Sequence, residues 1–259
     1  EKARSLYQIE LIILNEEWLI AGKYAVWWAK MTGIPCLHLA HSTALTQYYM
    51  VHSLFLSNKI AIFGERDAEN LYDLGLEKNR LRITGNPAWD VYPFLKENAA
   101  AVKNMVYEKY RLNPDLPLIL CGSTWDSHGS AKFRKEDNPY VASINLFVAT
   151  YKKLADSEVR ANFLIKDRSA NQVYGEQVFD EAIAKLGITR DSLFYAWDDT
   201  ESLIVSAAVV ISIASNLSIE AMIAGTPAID LSGSSPVFEA DSGILSVNHD
   251  PAQLANGCE

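Results

Sequence analysis

Residue types able to hold a phosphorylated ligand are concentrated between Trp197 and Asp230. After the apolar run Val209 to Ile213 comes Ala214-Ser215-Asn216-Leu217-Ser218-Ile219-Glu220. There Ser215, Asn216 and Ser218 open a helix whose first N–H groups can hold a diphosphate, while Glu220 can accept from ribose hydroxyls. The same residues also read as an ordinary helix start, the serines as caps and Glu220 as a complement to the dipole. Upstream, Trp197-Asp198-Asp199-Thr200-Glu201 follows another apolar run. Trp197 offers a face on which a nucleobase can stack, and Thr200 joins the candidate set, whereas Asp198 with Glu201 also makes a capping box.

Three further loops carry suitable chemistry. Gly122, Ser123 and Thr124 follow Leu118 to Cys121, supplying a glycine for close backbone approach and two hydroxyls, or else an ordinary strand-to-helix turn. Lys166-Asp167-Arg168 follows Asn162 to Ile165, and Lys166 and Arg168 supply the positive charge that a diphosphate needs, unless the loop is simply solvated. Gly85 and Asn86, in Thr84-Gly85-Asn86-Pro87, allow backbone approach to a ligand or form a tight turn forced by Pro87. In Leu37-His38-Leu39-Ala40-His41-Ser42, period-2 alternation separates His38 from His41. His41, at the strand end, is the better placed to face a cleft and act as a base, against the plainer reading of a surface or core histidine.

These loops need a scaffold that delivers them to one edge. The chain alternates short apolar runs with helix-period segments, the pattern of βαβ units and parallel sheets. The predicted strands of the first half are 10–14, 34–39, 59–63 and 81–84, with helices over 21–31 and 68–74. A charged, alanine-rich helix over 97–110 and the turn Asn113-Pro114-Asp115-Leu116-Pro117 mark a crossing between domains. Beyond it the alternation resumes, with strands over 118–121, 162–165, 193–195, 209–213 and 228–231 and helices over 143–155, 176–186, 200–207 and 218–224. In open parallel sheets ligands lie beyond the carboxyl ends of the strands, where the residues above fall. The division expected is a partial first domain over 1–95, a linker over 96–117 and a second domain over 118–259. The first domain is expected to be truncated, lacking its early strands, in a fragment of a longer protein.

The bulk numbers exclude several classes. A net charge of −9 repels phosphate polymers, so nucleic acid is not an expected partner and any phosphate site must be a local basic pocket. Cys36, Cys121 and Cys258 are widely spaced, with no CxxC, and fit a reducing, cytoplasmic compartment and buried thiols. The longest apolar run, Leu203 to Ala214, is too short to span a bilayer. No GxGxxG, Walker A, HExxH, paired-cysteine zinc spacing or G-x-S-x-G elbow is present, so no metal or tightly held cofactor is expected.

The combination resembles the GT-B superfamily, as found in bacterial surface and capsule polysaccharide transferases and CDP-glycerol glycerophosphotransferases. The match is carried by Asp199-Thr200-Glu201-Ser202-Leu203, Val209 to Ser212, Ser218-Ile219-Glu220-Ala221-Met222 and Gly225-Thr226-Pro227. Thr84-Gly85-Asn86-Pro87 with Asp90, and His38 to Ser42, are similar to the family's domain-junction turn and strand-end histidine segment. The resemblance implies an α/β fold of two Rossmann-like domains. It also implies a nucleotide-activated sugar or glycerol-phosphate-like donor, and a glycan or lipid-linked glycan acceptor. No integral membrane segment is expected, and peripheral association at the inner face of the membrane is compatible with this. Two departures stand out: Lys166-Asp167-Arg168-Ser169 where the family often has Lys-x-His-Pro, and His41-Ser42 where it has His-Gly. A non-catalytic nucleotide-sugar-binding protein is the rival reading. UDP-N-acetylglucosamine 2-epimerases share the fold, but carry Gly-Gly and paired glutamates where this chain has Asn216-Leu217 and the single Glu220, which favours a transferase.

Overall fold

The computed structural model describes residues 7–17, 19–40, 55–124, 138–168, 175–189, 193–213, 215–231, 243–247 and 258. The chain divides into two compact units, Glu1–Ala88 and Trp89–Glu259. The division falls before 96–117, the segment expected as a linker, and counts those residues with the second unit.

In the first unit the apolar runs become β1 (Ile12–Leu14), β2 (Cys36–Leu39), β3 (Lys59–Ile62) and β4 (Leu81–Ile83), with α1 (Ile20–Thr32) and α2 (Glu65–Asp73) between them. All pairings are parallel, in the order β1-β2-β3-β4. Helix α1 ends where expected: Gly33 takes φ 74°, a left-handed conformation that costs glycine little, and returns its N–H to the last turn. Helix α2 begins three residues before the predicted start. Asp67 reaches back to accept from the Gly64 N–H at 3.2 Å, and Glu65 and Asp67 complement the helix N-terminus. Val26, Ala29, Ile34 and Cys36 form one small core, and Ile60, Ile62, Leu71 and Leu81 belong to another.

The second unit opens with α3 (Val91–Glu97) and α4 (Ala99–Lys109), where one helix was expected. Asn98 separates them, leaving helical geometry at φ −106° and ψ 19° while its side chain donates to Phe94 O at 2.9 Å. Then follow β5 (Leu118–Gly122), α5 (Pro139–Asp156), β6 (Asn162–Lys166), α6 (Gly175–Lys185), β7 (Phe194–Ala196) and α7 (Thr200–Ser206). The remaining elements are β8 (Val209–Ser212), α8 (Asn216–Ala224), β9 (Ala228–Leu231) and β10 (Ile244–Val247). The last strand, absent from the sequence reading, pairs in parallel with β9.

These six strands lie in the order β10-β9-β8-β5-β6-β7. Counted from β5, this is the doubly wound order 3-2-1-4-5-6, and the chain reverses direction across the sheet between β5 and β8. Residues Leu118 to Cys121 are at most 3% exposed, and Tyr140, Phe147, Phe163 and Phe179 fill the space between helices and sheet. Burial on both faces explains the unbroken apolar runs of the sequence. Asn162 ties the turn before β5 to the sheet: its amide donates to Asn113 O and Leu116 O and accepts from the Asn113 N–H.

Candidate functional site

The strand order reverses between β5 and β8, and the carboxyl ends of these strands, where α8 begins, form the switch point at which open α/β sheets take their ligands. Gly122 closes β5, and a Cβ there would lie 2.2 Å from Cδ2 of Leu217. The glycine therefore admits the first turn of α8 against the strand end. Register sets Gly122 beside Lys166, Lys166 beside Ala196, and Cys121 beside Ile211. Gly122 to Thr124, Lys166 to Arg168, Trp197 and the start of α8 are thereby brought to one edge of one sheet.

Helix α8 starts at Asn216, two residues before its predicted start. Ser215 is its N-cap, accepting from the Leu217 N–H at 3.3 Å, so the capping alternative holds for this residue. Ser218 points the other way. It is fully buried with its hydroxyl 2.6 Å from that of Ser212, joining α8 to β8, which turns its side chain into the core. Asn216 is half-buried at the helix start. Glu220 lies beyond the first turn, which contains no acidic residue, so complementing the helix dipole does not account for it.

Ser123 is likewise turned inward. Its hydroxyl donates to Asp167, and its N–H donates to Lys166 O at 3.0 Å. Thr124 is half-buried beside it. Asp167, given no role from the sequence, is the centre of a buried network. Its carboxyl accepts from the Ser123, Tyr140 and Tyr195 hydroxyls and from the Arg168 N–H at 2.7 Å. A methyl at Gly175, the first residue of α6, would come 2.6 Å from Oη of Tyr195, 2.7 Å from Asp167 Oδ2 and 2.8 Å from Trp197. The available signal was an acidic residue directly after a strand buried along its length.

Lys166 is half-buried at the end of β6. Burial pulls its ammonium below the ordinary 10.5, with Asp167 opposing the shift. Arg168 is exposed. The Trp197 ring packs edge-on against Tyr195, centroids 4.8 Å apart at 75°, and is half-buried. The capping box proposed for Asp198 and Glu201 does not form. Asp199 is the N-cap of α7, at φ 59° and without a side-chain cap bond, and Thr200 is the first helical residue. Tyr110 instead donates to Asp198 and Asp199 at 2.8 and 3.0 Å, and Lys109 pairs with both. The Tyr110 hydrogen bond is the main influence holding Asp198 below its ordinary carboxylate range.

Glu220 is half-buried and accepts from the Tyr92 hydroxyl at 2.6 Å, with a further hydrogen bond from Trp89. Burial pushes its carboxyl up, partly offset by these bonds and by Lys166. Neither Tyr92 nor Trp89 was singled out from the sequence.

The remaining candidates belong to the first unit. Gly85 takes φ 71°, and the Asn86 side chain accepts from the Ala88 N–H at 3.1 Å, a tight turn at the end of β4. His41 lies outside the described residues. His38 is buried against Phe55, with Nδ1 3.8 Å from Glu17. Cys36 and Cys121 are buried thiols. Among the described residues no group of three His, Cys, Asp or Glu side chains is placed to hold a metal ion, and no helix is long and apolar enough to cross a membrane.

No protein-family model and no curated protein matches this sequence. Solved structures do. The UDP-GlcNAc 2-epimerase from Methanocaldococcus jannaschii, in complex with UDP-GlcNAc and UDP, aligns at TM-score 0.68 and 14% identity, over 99% of this chain and 70% of its own. The UDP-GlcNAc 2-epimerase from Neisseria meningitidis, bound to UDP-GlcNAc, aligns at 0.66 and 14%, over 96% of this chain and 66% of its own. A glycosyltransferase from Rickettsia africae aligns at 0.61 and 14%, over 99% and 67%. The chain thus spans about two thirds of the length of these structures. Parallel Rossmann-like sheets in two units, a doubly wound second unit and these alignments together establish that the chain has the GT-B fold.

Proposed function

We propose that the second unit binds the nucleoside diphosphate of an activated donor, and that the chain serves a glycosyltransferase moving a sugar, or a glycerol-phosphate-like unit, to a cell-surface glycan acceptor. The observation carrying this reading is the reversal of strand order between β5 and β8, where Gly122 admits the start of α8 and Lys166 stands on the next strand. Amides at the start of α8 and the cations Lys166 and Arg168 suit a diphosphate. Trp197 suits the base and Glu220 the ribose, with Thr124, Thr200, Ser215 and Asn216 around them.

When the glycosidic carbon leaves the donor, its bonding electrons stay with the β-phosphate oxygen. Lys166, Arg168 and the α8 amides offset the charge that accumulates there. His41 is the proposed base that takes the acceptor hydroxyl proton in an inverting reaction, with Gly85 and Asn86 on the same unit as His41.

The test is calorimetric titration with ADP, CDP, GDP and UDP, followed by incubation of the matching nucleotide sugars with release of free nucleotide as readout. Saturable binding of one nucleotide with turnover supports a transferase. Binding without turnover points to the non-catalytic rival, and no binding sinks the reading. The alignments with two UDP-GlcNAc 2-epimerases favour a second reading, tested by incubating UDP-GlcNAc alone and looking for the manno epimer.

A further inference from the structure

Glu220 is held by residues that precede it by more than a hundred positions. Tyr92 on α3 is fully buried and directs its hydroxyl at Oε2 of Glu220, 2.6 Å away across 128 positions of sequence. Trp89 adds a second donor to the same carboxyl. The bonds matter because of where Glu220 sits: half-buried, with Lys166 and Glu201 among the charges acting on it, at the edge that also carries Lys166, Trp197 and the start of α8.

A carboxylate accepts hydrogen bonds at about four lone-pair sites. Tyr92 and Trp89 occupy two of them, which leaves two for the adjacent hydroxyls of a ribose. The Tyr92 phenol is pushed well above its ordinary range, first by burial and then by Glu220, so it stays protonated and keeps a hydrogen to donate to the carboxyl. Burial and Glu201 favour the protonated form of Glu220, whereas Tyr92 and Trp89 favour the charged, acceptor form. Helix α3 also packs against α8 beyond this bond, with Lys96 Nζ 3.4 Å from Ile223 O, so the donors are carried on a supported element.

We propose that Tyr92, assisted by Trp89, is a positioning residue that fixes Glu220 as the acceptor for the ribose hydroxyls, and so sets discrimination between ribonucleotides and nucleotides lacking them. This rests on the nucleotide reading above and adds to it a residue that never touches the ligand.

The experiment compares binding of ADP, CDP, GDP and UDP with their 2′,3′-dideoxy counterparts in the wild-type protein and in Tyr92→Phe, Trp89→Phe, Glu220→Gln and Tyr92→Phe/Glu220→Gln. Thermal midpoints confirm that each variant is folded. For the nucleotide that binds, the wild type prefers the ribo form by about tenfold or more. Glu220→Gln brings that ratio close to one. Tyr92→Phe lowers it several-fold with the dideoxy affinity unchanged, and adds nothing further in the Glu220→Gln background. A purely structural Tyr92 would weaken both forms in parallel, which overturns the proposal, as does an unchanged ratio in Tyr92→Phe. If Tyr92→Phe does not fold, Trp89→Phe carries the same comparison with the same two outcomes. Wild-type binding with no ribose preference overturns the Glu220 assignment while leaving a nucleotide site standing. No binding of any nucleotide overturns that site and this proposal with it.

Discussion

Gly122 and Leu217 are in such close register that a single added methyl on the first would lie 2.2 Å from Cδ2 of the second. The contact is between the end of β5 and the first turn of α8, so it sets how near the helix start comes to the sheet. The atom that must give way is the tip of a half-buried leucine, which can rotate.

Gly122→Ala is therefore expected to cost about 1–2 kcal/mol in urea denaturation and to weaken nucleotide binding. Adding Leu217→Ala should recover most of the binding loss, because it clears the overlap. Gly122→Ala with unchanged stability and affinity would remove this contact from the account.

Asp167 gathers three hydroxyls and an amide in a fully buried setting. Asp167→Asn places an NH2 among groups that need an acceptor, and is expected to cost about 3 kcal/mol. Tyr140→Phe and Tyr195→Phe should each cost about 1–2 kcal/mol, and their double variant should deviate from additivity, since both bond the same oxygen. Chemical denaturation of the three single variants and the double variant decides this. Strict additivity would mean that the network does not act as a unit.

Ser215 and Ser218 are three residues apart and do different things. Ser218→Ala removes the partner of Ser212 inside the unit, with an expected loss of about 1 kcal/mol and no change in nucleotide affinity. Ser215→Ala removes the α8 cap at the switch point of the sheet, with a similar loss of about 1 kcal/mol and a measurable fall in affinity. The paired measurement is denaturant midpoint and dissociation constant for each variant. A larger affinity loss in Ser218→Ala than in Ser215→Ala would reverse the assignment.

Lys166 is a cation kept where burial disfavours it. Its ammonium is below the ordinary 10.5 in the folded chain, so the unfolded chain binds the proton more tightly. The folded state therefore carries the full cost below the folded value, and is relieved of it as pH rises from there towards 10.5. Lys166→Met is expected to match or exceed wild-type stability at neutral pH and to lose the rise in stability across that alkaline window. Diphosphate affinity should fall about tenfold, with a weaker salt dependence. Lower stability together with intact affinity would make Lys166 a structural residue.

Much of the scaffold could be read directly from residue order. Apolar runs such as Leu118 to Cys121, Val209 to Ile213 and Ala228 to Leu231 are strands because their β-branched and leucine side chains suit burial on both faces, and glycines such as Gly33 and Gly225 end helices through their own φ preference. These are local effects, decided within a few residues. The same holds for which residues follow a strand, so Lys166, Trp197 and Ser215 were placed correctly at strand ends. The loops between are another matter, because a hydroxyl or carboxyl there has several partners open to it and only packing chooses among them.

Trp197 to Asp230 is the stretch in which the two kinds of information separate. By itself the sequence determined two helices alternating with two strands, carrying residue types suited to a diphosphate and a ribose. Only the tertiary structure decided that Ser218 faces Ser212 in the core, that Glu220 is gripped by Tyr92 and Trp89, and that Asp167 draws Ser123 inward. It also decided the strand order that puts β5 beside β8 and so makes their carboxyl ends the switch point of the sheet. The physical reason is range: helix and strand preferences act between neighbours along the chain, whereas a buried donor's partner is set by which distant element packs against it.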